Sequence, residues 1–285
     1  MWQMCSTLRL RRLILSFMKR RLWLRLVFFV VLIACSVIGY LFLSSLLRNY
    51  PAGNTLAAGF LAAACFAVNV VFFRSDARTM ADIGFNTPKL RVAQFGLGFL
   101  AGGILVLAWA AIIVMVGSAH WQFHAGFNIA GAVALVVFYF FNNAGEELAY
   151  RGYAFLRLEE RYGRGLAIIT TSLAFALMHF QGGMNLLNAL VGVLTNGLIF
   201  AILFSRWKSL PLVLGFHLAT NIFQDLYGLR QTALSLAEFK DVNTSDGRDV
   251  GMLALVGCLN LGILLFLIWP FLSSRIRFSK SPKGG

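Results

Sequence analysis

The chain has 285 residues, 59% of them hydrophobic and only 13% charged, with a formal net charge of +14. A soluble domain carries about 25% charged residues, and here the apolar residues gather in blocks about as long as a bilayer-spanning helix, which excludes a water-soluble globular fold. The basic residues sit at the ends of those blocks, so the positive charge is assigned to membrane topology and anionic lipid, and nucleic acid is excluded as a partner.

The chain opens with a basic segment, 1–21, carrying Arg9, Arg11, Arg12, Lys19, Arg20 and Arg21. The apolar run that follows, 22–47, is too long for a cleaved signal sequence and is expected to remain as a membrane helix. A loose lipoprotein-type box, Leu32-Ile33-Ala34-Cys35, lies inside that run with more apolar sequence after it and is read as coincidence. Further apolar blocks fall at 52–73, 92–116, 127–150, 166–184, 186–204, 209–226 and 250–272. The expected fold is all-α, a polytopic membrane protein of about eight transmembrane helices.

Basic clusters follow every even-numbered block: Arg74, Arg78, Lys89 and Arg91; then Arg151, Arg157, Arg161 and Arg164; then Arg206 and Lys208; then Arg275, Arg277, Lys280 and Lys283. With the basic start, this alternation predicts that both termini are cytoplasmic. The loops near His120–Gly126 and from about Tyr227 to Asp249 then lie on the opposite face. Cys5, Cys35, Cys65 and Cys258 show neither paired nor metal-like spacing, and no disulfide is expected.

Three polar clusters interrupt the apolar blocks. In Glu146-Glu147-x-x-x-Arg151, residues four apart share a helical face, so Glu147 and Arg151 can pair and offset each other's desolvation. Glu146 is rotated about 100° away and is the carboxylate left to face other helices. In Phe175-x-x-x-His179, the ring of Phe175 can wall the pocket that His179 enters. In His217-x-x-x-Asn221, two hydrogen-bond donors meet at one spot. A charge near the bilayer centre costs about 2.5–3.5 kcal/mol on insertion scales, so such residues mark a functional site facing protein or a water-filled cavity. Taken singly, each histidine cluster is also compatible with a buried, satisfied histidine or with polar contacts between helices. A carboxylate beside a histidine can deprotonate water and later protonate a leaving amine. A histidine and an asparagine can stabilise an oxyanion. The set suits amide hydrolysis. No serine lies in a Gly-x-Ser-x-Gly turn, and no His-Glu-x-x-His motif is present.

These clusters, in this order and approximate spacing, resemble the CPBP family of intramembrane proteases, which groups the eukaryotic CAAX prenyl endopeptidase with bacterial relatives linked to bacteriocin processing and self-immunity. The resemblance covers roughly Ala81 to Gly228, with Asp82-Ile83-Gly84-Phe85, Asn196-Gly197-Leu198-Ile199 and Ser209-Leu210-Pro211 as further points of likeness. It implies an all-α core enclosing a catalytic cavity inside the membrane. It also implies a bacterial inner-membrane location and a membrane-associated peptide or protein substrate. By resemblance, Glu146 and His179 activate water, His217 and Asn221 form the oxyanion site, and Glu147, Arg151 and Phe175 support them.

The chain then divides into a basic tail (1–21), N-terminal helices (22–80), a catalytic core (81–228), an extracytoplasmic loop (229–249), and a last helix with a basic tail (250–285). One glutamate and two histidines are also a ligand set for zinc. The sequence leaves that alternative open, and a metal-free glutamate mechanism without cofactor is preferred. The rival reading is a non-proteolytic transporter, scaffold or immunity protein using the same cluster for proton relay or partner binding.

One expectation follows from depth. With the fourth block ending at about residue 150, Glu146 lies near the membrane surface, whereas His179 lies about 20 Å in at about 1.5 Å per residue. For the two to meet, the fourth helix must continue past Arg151 towards Glu160, the preferred expectation, or the fifth must begin deeper or kink.

Overall fold

The protein is described by a computed structural model covering residues 22–116, 119–123, 128–229, 232–241 and 257–267, apart from 51, 182, 183, 185, 233, 234 and 258. The basic tails, Cys5, Cys258 and much of the 229–249 loop lie outside the described residues.

Helix α1 (Leu22–Leu46) buries only Arg25, Phe29 and Ser36, while Val27, Phe28, Val30, Ile38 and Phe42 face outward. A helix apolar all round with so little covered surface belongs in lipid. It packs along α2 (Gly53–Ser75). A 3₁₀ turn, Met80–Ile83, follows, closed by a capping box between Thr79 and Asp82. Its C-cap, Gly84, sits at φ 94°, and a Cβ there would approach Ser209 Cα to 2.8 Å. This Asp-Ile-Gly-Phe turn therefore docks on the segment Lys208 to Pro211 and buries Ile83 completely.

Helix α3 (Pro88–Val116) starts on a proline, whose missing N–H costs nothing in the first turn. A short strand β1 (Ala119–Phe123) leads to α4 (Ile129–Arg151), which the Asn128 side chain caps by accepting from Gly131 N. Then come α5 (Tyr153–Tyr162), α6 (Arg164–Gln181), a π-helical turn (Asn188–Val193) running into α7 (Leu194–Trp207), and α8 (Leu210–Leu226). Strand β2 (Ala237–Asp241) and a helical stretch, 259–267, complete the described chain.

Among the described residues, five helical stretches are long and apolar enough to cross a membrane: Leu22–Leu46, Gly53–Ser75, Met80–Met115, Ile129–Tyr162 and Asn188–Trp207. The other expected blocks correspond to α6 at 18 residues, α8 at 17 residues, and the block at 250–272, of which only 257 and 259–267 are described. The architecture is an all-α membrane protein with one small ribbon. In that ribbon β1 pairs antiparallel with β2, Trp121 opposite Phe239. The two loops that the charge pattern puts on one face thus meet each other.

The basic clusters gather as well. Arg25 pairs with Asp76, Arg157 with Asp76 and Glu160, Arg78 with Glu160, and Arg164 and Lys208 with Glu159. The most extensive helix pair is α3 against α8. A Cβ on Gly98 would stand 1.9 Å from Leu212 O, one on Gly102 2.4 Å from Phe216 O, and one on Gly215 2.1 Å from Phe95 O. Only hydrogen fits at these positions, so the two backbones touch, as small residues permit in membranes. This contact fixes α8, the helix that carries His217 and Asn221.

The expected continuation of the fourth helix takes a particular form. Helix α4 stops at Arg151, the chain breaks at Gly152, and α5 runs on for ten residues. Asn69 on α2 holds the break together: its Nδ2 donates to Leu148 O at 3.0 Å and its Oδ1 accepts from Tyr153 N at 2.7 Å. Any side chain at residue 152 would collide with Asn69, since a Cβ there would lie 2.1 Å from its Oδ1. The chain continues as α5, whose Tyr153, Ala154, Phe155 and Leu156 are buried, and Glu146 is part-buried, facing a cavity.

Candidate active site

Helices α4, α6 and α8 bring the three polar clusters together. Glu147 and Arg151 are both fully buried on one face of α4, with Arg151 Nη1 donating to Glu147 Oε1 at 3.3 Å. The other guanidinium nitrogen, Nη2, donates to Gly197 O on α7 at 3.0 Å. The Arg151 guanidinium also lies 4.7 Å from the centre of the Phe175 ring and 5.5 Å from that of Phe200, distances at which a cation is attracted to an aromatic face. Gly197 belongs to the Asn-Gly-Leu-Ile segment, whose part in the site is thus to offer a carbonyl to Arg151.

Glu147 has a second partner on α8. His217 Nδ1 donates to Glu147 Oε1 at 2.8 Å, and the imidazole lies against the Phe200 ring with centroids 4.5 Å apart. The carboxylate therefore fixes both the orientation of the ring and the nitrogen that carries its hydrogen. His217 Nε2 is turned to the other carboxylate, 3.8 Å from Glu146 Oε2. The sequence pattern pairs Glu147 with Arg151 but does not reveal that the same oxygen also holds His217.

Glu146 faces a cavity of about 920 Å³ whose wall includes Tyr40 and Leu41 of α1, Phe138, Asn142 and Tyr150 of α4, and His179 of α6. Its Oε1 accepts from Asn142 Nδ2 at 2.8 Å, which leaves Oε2 as the oxygen turned towards His217. His179 Nδ1 donates to Phe175 O at 2.9 Å, so the lone pair of the neutral ring resides on Nε2. Glu146 and His179 thus line one cavity, each with an atom turned away from its helix, a carboxylate oxygen and the ring Nε2. Phe175 is buried and does not line this cavity. It packs between His179, His217 and Arg151, with ring centroids 4.6 Å from His179 and 5.9 Å from His217.

Asn221 is placed differently. It lies one turn after His217 on α8, outside the cavity wall described above, and its Nδ2 donates to Asn143 Oδ1 at 3.0 Å. Asn142 and Asn143 are the site residues that motif reading misses. Their signal in the sequence is an amide pair one helical turn before the carboxylate pair, in the same apolar block. Among the described residues no group of three His, Cys, Asp or Glu side chains is arranged to hold a metal ion.

A family model, type II CAAX prenyl endopeptidase Rce1-like, matches residues 128–223. The match begins at the N-cap of α4 and ends just after Asn221, so it contains all three polar clusters. No curated protein matches the chain, and no solved structure does.

Proposed function

We propose, from the premise that residues 128–223 belong to the type II CAAX prenyl endopeptidase Rce1-like family, that this membrane protein hydrolyses a peptide bond with water activated by Glu146 and His179. The observation that carries the reading is the shared cavity: Glu146 and His179, on different helices, line one space. A water there gives a proton to Glu146 as its oxygen attacks the scissile carbonyl. His179 Nε2 accepts a hydrogen bond from that water and holds it for attack. The oxyanion that forms is stabilised by Asn221 and His217. Because His217 Nδ1 already donates to Glu147, Nε2 donates only when the ring is the imidazolium. The tetrahedral intermediate collapses as Glu146 returns its proton to the leaving amine, giving a new carboxylate and a new amino terminus.

The family's name points to a membrane-associated substrate, and the apolar wall of the cavity (Val37, Leu41, Leu61, Met178) suits an apolar segment. The test uses purified protein in detergent with two quenched fluorescent CAAX-type peptides, one farnesylated and one not. Cleavage is expected to survive exhaustive chelation and to fall by roughly 10²–10³ in kcat for Asn221→Ala, the loss expected for one oxyanion donor. Chelation that abolishes cleavage, or Asn221→Ala at the wild-type rate, would contradict the mechanism. An active membrane transporter or scaffold that cleaves neither peptide would restore the non-proteolytic alternative.

A further inference from the structure

Helices α4 and α8 run antiparallel and meet along a seam of polar pairs. Glu147 bonds His217 at 2.8 Å, Asn143 bonds Asn221 at 3.0 Å, and Tyr139 Oη donates to Asp225 Oδ2 at 2.6 Å. Each rung moves four residues back along α4 and four residues forward along α8, about 6 Å at 1.5 Å per residue. The spacing is that of one helical face on each side. Asp225 is fully buried, as are Asn143 and Glu147. At the far end Thr232 Oγ1 also donates to Asp225 Oδ2, at 3.0 Å, tying the loop after α8 to the last rung.

In lipid no hydrophobic force selects one helix register over another, so polar pairs carry that information. Sliding α8 by one turn in one direction would set His217 against Asn143 and Glu147 against Val213; in the other it would set Glu147 against Asn221 and His217 against Arg151. The oxyanion groups would then be displaced from Glu146 by a full turn. Asn143 is the middle rung and its cost is visible: its Nδ2 is buried without a partner among the described residues. A buried amide with one idle end is expensive to keep for packing alone. What it supplies is the oxygen that holds Asn221.

We infer that Asn143 is a positioning residue for the reaction, orienting the Asn221 carboxamide within a register lock formed by Tyr139–Asp225, Asn143–Asn221 and Glu147–His217. The inference rests on the endopeptidase reading for its kinetic consequence, but its geometry is measurable without turnover. The Asn221 nitrogen carries two hydrogens, and the bond to Asn143 uses one. Held at that hydrogen, the carboxamide keeps one orientation relative to α4.

The experiment compares wild type, Asn143→Leu, Asn143→Asp, Asn221→Ala and the Asn143→Leu/Asn221→Ala double variant in detergent. Side-chain amide resonances are recorded on protein labelled with ¹⁵N-asparagine, Asn221 being identified by its loss in Asn221→Ala. In Asn143→Leu the Asn221 amide proton is expected to move upfield as it loses its acceptor, and in Asn143→Asp, which keeps an acceptor oxygen, to stay downfield. With the farnesylated quenched peptide as probe, kcat of Asn143→Leu is expected to fall roughly 10²-fold, the order of losing one oxyanion donor, with KM little changed. The double variant should be no slower than Asn221→Ala, and Asn143→Asp should recover much of the loss. An Asn221 resonance indifferent to Asn143→Leu, or losses that multiply in the double variant, would overturn the assignment. If the leucine variant proves too unstable to purify, Asn143→Ala serves in its place under the same two criteria. A wild-type protein that cleaves neither peptide sinks the endopeptidase reading, while the resonance comparison still decides whether Asn143 holds Asn221.

Discussion

Two adjacent glutamates have opposite fates because they point in directions about 100° apart. Glu147 is fully buried, with Arg151 at 3.3 Å and His217 at 2.8 Å on the same oxygen. Glu146 faces the cavity and is held on one oxygen by Asn142. Replacing Glu147 by Gln removes the negative charge between two cationic or hydrogen-donating partners and leaves Arg151 buried without its counter-ion. Breaking a buried pair in this way costs about 3–5 kcal/mol. Glu147→Gln is therefore expected to melt well below wild type in detergent and to lose cleavage through a misdirected His217; an unchanged melting temperature would show that the pair is not a structural support. This division of labour was legible in the sequence, because it follows from spacing within one helix. The bond from Glu147 to His217 was not, since it joins residues 70 positions apart on helices whose mutual register no local pattern encodes.

At the scale of elements, the break between α4 and α5 decides where the carboxylates sit. Its cause lies on another helix: Asn69 spans the break with bonds to Leu148 and Tyr153, 79 and 84 positions away. Such a cause cannot be read from residues 145–160 alone, and the sequence there suggests an uninterrupted helix. The glycine at 152 is the only local hint. Asn69→Leu would remove both bonds and bury an unsatisfied N–H on Tyr153, a cost of about 1–3 kcal/mol for each orphaned group. A lowered melting temperature is expected, with cleavage lost in proportion to unfolding rather than beforehand. A variant as stable as wild type would mean that the break is held by packing alone. The apolar blocks themselves were readable, because a bilayer demands long apolar helices, and the glycines of α3 and α8 were visible as residues but not as partners. Only the structure shows that Gly98 and Gly102 receive the backbone of α8.

Seen as a whole, the molecule has two polar ends. One carries the ion pairs that join Arg25, Asp76, Arg78, Arg157, Glu159, Glu160, Arg164 and Lys208. The other carries the ribbon between Ala119–Phe123 and Ala237–Asp241. The Arg25–Asp76 pair is buried, whereas exposed pairs such as Arg78–Glu160 add little stability singly; together the group marks one end of the molecule. With that basic face in the cytoplasm, periplasmic-type reporters fused near residues 124 and 242 should be active, and those fused after Arg78, Arg161 and Lys208 inactive. Activity from a fusion after Arg161 would break this topology. Between the two ends lies the cavity of about 920 Å³ that holds Glu146 and His179, and the central claim is that Glu146 takes the proton of the attacking water there. Glu146→Gln keeps the size of the side chain and its hydrogen bond from Asn142 but cannot accept that proton. The decisive measurement is the rate at which purified Glu146→Gln cleaves the farnesylated quenched peptide, taken beside wild type at equal melting temperature. Near-complete loss of cleavage in a stably folded protein is the predicted result; cleavage at the wild-type rate would contradict it.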